Sequence, residues 1–254
     1  MGRAVPSAPA PRTWPSAPRA RTGFTLIELL TVISIIALLA TIGAALSGVA
    51  IRKARESRVR AEQGKLVTGI EAYRADLSQY PPDNARGGVN VDPAIHQLYY
   101  ELLGTVAGKL TERGPQGEAY WLPDNPTPIT STTVTRAFGT GGFVNSVVAP
   151  DKPKGYLANL DQRQHRRVRL KGGAEIELLT VSGLDWPTKN TVQTDGAPLA
   201  RKVDDLKQLY INPWYYVSTK PTRNPGSFDL WALLPSGRVV NNTNEYRILG
   251  NWKE

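Results

Sequence analysis

The stretch that decides the fold is Gly23-Phe24-Thr25-Leu26-Ile27-Glu28-Leu29-Leu30, together with the apolar run that continues from it to Ile51. Between Phe24 and Ile51 the only charged residue is Glu28. The 23 residues from Leu29 to Ile51 are uncharged and rich in Leu, Ile and Ala. About 20 such residues span a bilayer core as a helix, so the run predicts a transmembrane segment over 24–51.

The helix is expected to continue beyond the apolar run, because no proline interrupts the chain between Pro18 and Pro81. Its second half is amphipathic, with apolar residues recurring at helical spacing on one face. These residues are Val59, Leu66, Ile70, Tyr73 and Leu77. The pattern predicts one helix over 24–78, and the sequence Tyr80-Pro81-Pro82 ends it, since proline cannot continue a helix.

The basic character of the chain is confined to short segments. The chain has 254 residues, with 31 Lys and Arg against 22 Asp and Glu, and a formal net charge of +9. Segments 1–23, 52–60 and 163–171 carry +4, +4 and +5, so the remainder is net acidic. A broadly basic, nucleic-acid-binding domain is therefore not favoured.

The sequence lacks the residues that several kinds of site and reaction require. The chain contains no cysteine, which excludes disulfides, thiolate nucleophiles, iron–sulfur clusters and cysteine zinc sites. The two histidines are His96, for which a surface or helix-cap role is expected, and His165, which sits among arginines. No nucleophile has a base beside it, so we predict that the protein is not an enzyme.

Glu28 has two interpretations from the residues alone. A carboxylate at mid-bilayer costs about 2.5–3.5 kcal/mol and usually marks a function or a partner. Near the start of a helix the cost is smaller, and the helix dipole favours an acid there. Glu28 is thus either an N-terminal helix acid or a functional carboxylate.

The segment Gly23 to Leu30 resembles the processing site of type IV prepilins and type II secretion pseudopilins. It follows a leader, residues 1–22, that holds five prolines and four arginines without hydrophobic periodicity. In that family a prepilin peptidase cuts after the glycine and methylates the next residue. The resemblance implies cleavage between Gly23 and Phe24, removal of residues 1–23 and N-methylation of Phe24. It also places Glu28 at the acidic position of the family's motif.

The same region suggests how subunits would assemble. Cleavage would give Phe24 a free α-amine that can meet the Glu28 carboxylate of a neighbouring subunit, and each charge would then offset the desolvation of the other. Ala40, Ala44 and Gly48 lie four residues apart on one face, where small residues permit close helix approach. They are either assembly contacts or the mark of an alanine-rich anchor.

The resemblance also implies location and partners. Charges flanking the apolar run are nearly balanced and do not orient it. The family places the leader in the cytoplasm, a single pass in the inner membrane, and the domain over 80–254 in the periplasm. Implied partners are further copies of the chain, other pseudopilins, the prepilin peptidase and an inner-membrane assembly platform.

The globular part is expected to be α+β, a pilin fold in which the helix over 24–79 packs on a small antiparallel sheet. We predict a short helix over 95–103, with Ile95, Leu98 and Leu102 buried. Gly, Pro and Thr dominate 104–153, which reads as an extended loop region. A hairpin with the turn Gly172-Gly173-Ala174 would pair Lys171 with Glu175, Leu170 with Ile176, Arg169 with Glu177, and Val168 with Leu178.

Three arginines, Arg163, Arg166 and Arg167, would remain for an acidic partner or a DNA backbone. The alternative, which is favoured, is a solvated surface.

The C-terminal stretch carries a second resemblance, to the C-terminal sheet of major pseudopilins. It consists of Asn212-Pro213-Trp214, Phe228-Asp229-Leu230-Trp231 and Gly250-Asn251-Trp252. In the family the loop after this strand holds calcium, but 235–251 contains a single acid, Glu245. Neutral oxygens could come from Ser236, Asn241, Asn242 and Asn244. Calcium generally needs carboxylates, so no cofactor is predicted.

The sequence therefore predicts a structural subunit of a type IV filament, most similar to a type II secretion pseudopilin. One alternative is a type IV pilin used for adhesion or DNA uptake. Another is a membrane-tethered ligand-binding module, in which Trp214, Tyr215 and Tyr216 would form a sugar-stacking shelf, although aromatics at strand spacing more often belong to a core. An anchored enzyme is the least favoured.

Overall fold

The structure is a computed structural model that describes residues 23–84, 92–109, 118–123, 125–148, 154–158, 160–170, 172–184, 211–240 and 243–252. The chain divides into two compact units, Met1–Arg52 and Lys53–Glu254. A long N-terminal helix precedes shorter helices and small antiparallel sheets. The predicted α+β class is confirmed, and the arrangement is compatible with a pilin-like fold.

The first element is the helix α1 (Leu26–Leu77), 52 residues long. The absence of proline and the apolar periodicity predicted this helix, whose observed bounds lie within two residues of the expected ones. It stops at Ser78, which has a φ of +58°. The amide of Ser78 still donates to the carbonyl oxygen of Arg74 at 2.8 Å, and Pro81 follows three residues later.

The second half of α1 packs into the core of the unit Lys53–Glu254. The predicted stripe is confirmed, since Val59, Leu66, Ile70 and Tyr73 are buried and Leu77 is half-buried. Burial of each such side chain contributes about 1.5–3 kcal/mol, which holds this part of the helix in place.

The C-terminal sheet consists of β6 (Tyr215–Val217), β7 (Asp229–Val240) and β8 (Thr243–Gly250), in the antiparallel order β6-β7-β8. A polar contact joins it to α1: the Gln63 side-chain amide donates to the carbonyl oxygens of Leu230 and Leu249, at 3.1 and 3.3 Å. Tyr215 stacks on Trp231 with ring centroids 5.4 Å apart.

The predicted short helix is α2 (Leu98–Leu103). It begins three residues later than expected because Ile95 lies in a turn, where its amide donates to the carbonyl oxygen of Asp92 at 3.1 Å. Ile95, Leu98 and Leu102 are nonetheless buried as predicted.

The extended loop predicted over 104–153 is wrong. The chain instead forms β1 (Val106–Lys109), β2 (Glu118–Leu122), β3 (Asn125–Thr130), α3 (Ser131–Phe138) and α4 (Val144–Val148). The strands form a sheet in the order β1-β2-β3.

The Pro, Thr and Gly residues that suggested a loop lie within these short elements or at their ends. The strand β3 contains two prolines, which an edge strand tolerates. The Thr130 hydroxyl accepts a hydrogen bond from the Thr133 amide at 3.2 Å and caps α3. Gly139, with a φ of +76°, ends that helix, as glycine commonly does.

The predicted hairpin is present, but its predicted register is wrong, because each residue pairs two positions away from its expected partner. It consists of β4 (His165–Arg169) and β5 (Glu175–Leu179). The observed partners are Arg167 with Glu177, Val168 with Ile176, and Arg169 with Glu175.

The turn begins one residue earlier than predicted, since the amide of Leu170 donates to the carbonyl oxygen of Ala174 at 2.8 Å. Gly172 and Gly173 have φ values of +104° and +82°, which only glycine adopts readily. Both glycines therefore stay inside the turn, and Ala174 is buried in the core.

Candidate functional site

The predicted cleavage site lies in exposed, non-helical chain. Gly23, Phe24 and Thr25 precede the first residue of α1. Phe24 is 83% exposed, and a Cβ added at Gly23 would meet no atom within 4 Å. A peptide bond in such a segment is open to a processing enzyme without unfolding of the helix.

Glu28 lies in a capping box at the start of α1. The backbone amide and the hydroxyl of Thr25 donate to its Oε2 at 2.9 and 2.7 Å, and the Glu28 amide donates to the Thr25 hydroxyl at 3.3 Å. Thr25 and Glu28 thus satisfy amides that the helix leaves unpaired. This is the geometry of an N-terminal helix acid, and the assembly role of Glu28 stays a prediction.

The apolar part of α1 is exposed. Among the described residues from Phe24 to Ile51, thirteen large apolar side chains are exposed, from 44% at Val49 to 83% at Phe24. An apolar surface of this extent marks contact with protein or with lipid.

In the part of the chain that the structure describes, we find no helix long and apolar enough to cross a membrane.

The small residues predicted to be assembly contacts lie along α1. Ala40 and Gly48 are exposed, and a Cβ added at Gly48 would meet only open space. The side chain of Ala44 lies outside the described residues. The two described positions are therefore accessible to a partner helix.

The arginines predicted as a polyanion contact are only partly available. Arg163 pairs with Asp161, Nη2 to Oδ2 at 3.0 Å, and this contact lowers the pKa of Asp161 to about 2. The Nε of Arg167 lies 2.9 Å from Oε1 of Glu177. Arg166 is exposed and has no ion-pair partner among the described residues.

The aromatic residues Trp214, Tyr215 and Tyr216 are buried, so the sugar-stacking shelf is wrong and the core interpretation is confirmed. Trp214 lines a cleft of about 600 Å³ beside residues 61–69 of α1. Most of the cleft wall is apolar.

The acid in the wall of this cleft, Glu62, is already engaged. Its carboxylate accepts from the Gln164 side-chain amide at 2.5 Å and from the Ser182 backbone amide at 3.1 Å. Burial raises the pKa of Glu62. The cleft therefore does not present this carboxylate to a ligand.

The expected surface role of His96 is wrong, and the residue at the N-cap of α2 is its neighbour Gln97. The side chain of His96 is fully buried. Its Nδ1 accepts from the Leu98 amide at 3.3 Å, at the start of α2, so Nε2 carries the proton and donates to the Trp214 carbonyl oxygen at 2.8 Å. Burial lowers the pKa of His96 to about 4.

Sequence reasoning missed a buried carboxylate, Glu101. It accepts from the backbone amides of Val144 and Asn145 at 2.7 and 2.9 Å and from the Tyr73 hydroxyl at 2.9 Å. Burial raises the pKa of Glu101. The signal was its place between Tyr100 and Leu102 in an apolar helix. Its oxygens are occupied, so its role is to join α1, α2 and α4.

Two predictions fall outside the described residues. The leader, residues 1–22, is one of them. The other concerns the neutral oxygens offered for calcium, since the side chains of Asn241, Asn242 and Asn244, like that of the nearby Glu245, are not described.

Comparison with known protein families identifies the prokaryotic N-terminal methylation motif at residues 18–44. The matched segment contains Gly23, Phe24 and Glu28. It indicates a type IV pilin-like prepilin and supports a type IV pilin-like filament subunit, a kind of protein that is typically not an enzyme. No curated protein and no solved structure matches the chain.

Proposed function

We propose that the protein is a type II secretion pseudopilin, made as a single-pass inner-membrane precursor and polymerised into a periplasmic filament. The observation that carries the proposal is the exposed apolar helix that directly follows a cleavable, exposed Gly23–Phe24 bond. The methylation motif at 18–44 supports the filament class. The similarity of residues 212–252 to the C-terminal sheet of major pseudopilins supports the subtype.

The apolar side chains of this segment must be shielded from water both before and after assembly. Before assembly the membrane covers its side chains, and in the filament neighbouring helices cover them instead. Removal of residues 1–23 exposes the Phe24 amine. In a staggered bundle this amine pairs with Glu28 of the adjacent subunit and fixes the register between helices.

Assembly rather than chemistry is the role proposed for the chain. Its partners would be copies of itself, other pseudopilins, the prepilin peptidase and the inner-membrane platform.

We propose further that no cofactor is needed. Residues 235–251, the counterpart of the loop that holds calcium in the family, contain a single acid, Glu245, and calcium generally needs carboxylates.

Single-cysteine variants test the assembly role, because the chain contains no native cysteine. Ala40→Cys lies on the proposed contact face, and Ala72→Cys is an exposed control on the same helix. With the prepilin peptidase co-expressed, oxidation is expected to link Ala40→Cys subunits within membranes, and Glu28→Gln is expected to reduce that linkage. Equal linkage at both positions, or none at Ala40→Cys, would contradict assembly through this face.

A type IV pilin for adhesion or DNA uptake is the second candidate. The observation in its favour is that Arg166 is exposed and has no ion-pair partner within the described ranges, although Arg163 and Arg167 are paired. Deleting the gene separates the two functions: loss of protein export with DNA uptake intact supports the pseudopilin, and the reverse supports the pilin.

A further inference from the structure

We propose that a basic belt, defined as Lys53, Arg55, Arg58, Arg60 and Arg247, binds the headgroups of anionic phospholipids. The inference rests on the membrane anchoring proposed above. It adds a lipid preference that the apolar segment alone does not provide.

The belt concentrates positive charge immediately after the apolar run. Residues 53–60 contain four cations and a single acid, Glu56. The next acid along the helix, Glu62, is buried and hydrogen-bonded within the domain. Between Lys53 and Ala61, Glu56 is therefore the single acid that offsets the belt.

Three of the five cations have no direct partner among the described residues, although the charge of Arg58 also attracts the Glu62 carboxylate. Within the described residues, Lys53, Arg55 and Arg58 are exposed and make no hydrogen bond or ion pair. Arg55 precedes Val59 by four residues, so the two lie on one face of α1. Among the described side chains of α1, Val59 is the first that is buried. Arg55 thus occupies the core-facing side of the helix one turn before the core begins.

The other two cations share one carboxylate. Glu56 accepts from Arg60, Oε1 to Nη2 at 3.2 Å, and its Oε2 pairs with Arg247 of β8. Arg60 and Arg247 stay 63% and 48% exposed. The contact with Arg247 lowers the pKa of Glu56, so Glu56 stays ionised at neutral pH, and it offsets only one of these two arginines.

The spacing and chemistry suit phospholipid headgroups. A helix rises about 1.5 Å per residue, so residues 53–60 extend over roughly 10–12 Å, and the first of them fall within an interfacial layer of roughly 5–8 Å per side of a bilayer. Guanidinium groups bind phosphate oxygens in bidentate geometry. Each cation near an anionic surface raises binding about fivefold.

The test uses the full chain reconstituted in vesicles of phosphatidylcholine alone and of phosphatidylcholine mixed with phosphatidylglycerol. Flotation measures anchoring. Mild detergent extraction followed by mass spectrometry then gives the phosphatidylglycerol-to-phosphatidylcholine ratio that stays with the protein. We expect this ratio to exceed the bulk ratio, to fall about fivefold for each cation removed in Lys53→Gln/Arg55→Gln, and to fall as salt rises.

The matched control is Lys65→Gln/Arg166→Gln, which removes the same charge from exposed positions elsewhere in the domain. The control is expected to keep the wild-type ratio. Flotation with both vesicle types but the same ratio in wild type, variant and control would overturn the belt and leave the anchoring intact, as would an equal fall in variant and control. Failure to float with either vesicle would overturn the anchoring, and the belt with it.

Discussion

At the scale of single residues, the buried polar groups of the domain act as joints between segments distant in sequence. Asp83 accepts from the backbone amides of Ser218 and Thr219 at 2.9 and 2.8 Å. His96 and Glu101 make equivalent contacts at the ends of α2 and α4. A buried polar group costs free energy unless it is hydrogen-bonded, so these joints fix where loops attach.

The burial of His96 gives the domain a defined pH response. The pKa of His96 falls from its ordinary 6.5 to about 4 in the folded protein. The imidazole of His96 binds a proton more tightly in the unfolded chain than in the folded one. The contribution of His96 to the free energy of unfolding is therefore fully present above pH 6.5 and is lost as pH falls toward 4. The full shift corresponds to about 3 kcal/mol.

We expect His96→Gln to flatten the fall in unfolding free energy between pH 6.5 and 4, measured by urea denaturation across that range. The comparison with wild type isolates His96, because Glu62 and Glu101 have raised pKa values and contribute the opposite slope in both proteins. Parallel pH profiles for the two proteins would show that His96 is not the titrating group.

Glu101 should be intolerant of an isosteric change. In Glu101→Gln, an amide NH₂ would replace one carboxylate oxygen and face a donor among Val144, Asn145 and Tyr73. We expect a loss of about 2–3 kcal/mol of unfolding free energy, read from urea denaturation. The control Glu118→Gln, at an exposed position of β2, should stay within about 0.5 kcal/mol of wild type, and equal losses would refute the role of Glu101.

At the scale of elements, the hairpin shows that a sequence pattern can predict a pair of strands without determining their register. Each residue of the observed hairpin pairs two positions away from its predicted partner, so both registers keep charged residues on one face and apolar residues on the other. The alternation of charged and apolar residues is the same in both and cannot separate them. Both turns also contain Gly172 and Gly173; the difference is Ala174, whose carbonyl oxygen accepts from the Leu170 amide and which therefore belongs to the ladder rather than to the turn.

Gly173→Ala tests whether the turn needs a residue that readily adopts a positive φ. A side chain at a φ of +82° is strained, and we expect a loss of about 1 kcal/mol in unfolding free energy. Gly141→Ala is the control, since a Cβ there meets no atom within 4 Å and its φ is not positive. It should change stability by less than about 0.5 kcal/mol. Similar effects at the two glycines would disprove the conformational argument.

Long elements with a repeated apolar pattern were predicted from the sequence, and short elements were not. The long helix was predicted because its core stripe repeats over many turns. The strands and helices within 106–148 were not, because they are short and begin or end at the Pro, Thr and Gly residues that also mark loops. The motif residues of the candidate site are local in sequence and were predicted. Arg247 of the basic belt was not, because it meets Glu56 only through the fold, 191 residues away.

At the scale of the whole molecule, the apolar segment and the charge distribution have one explanation in the proposed function. Cleavage after Gly23 would remove Arg3, Arg12, Arg19 and Arg21, so the formal charge of +9 would fall by four to +5. Much of the remaining basic charge lies in the belt beside the proposed membrane anchor or in a hairpin that pairs its own arginines. Under the proposed function, the basic pI reflects targeting and anchoring rather than nucleic-acid binding.

The central claim is that the chain is a prepilin processed at Gly23–Phe24. Its most direct test is the intact mass and N-terminal sequence of the mature protein purified from membranes that contain the prepilin peptidase. We expect a chain that begins at N-methylated Phe24, and a Gly23→Val variant that keeps its leader. A wild-type chain that still begins at Met1, or one that begins near residue 50, would contradict that claim.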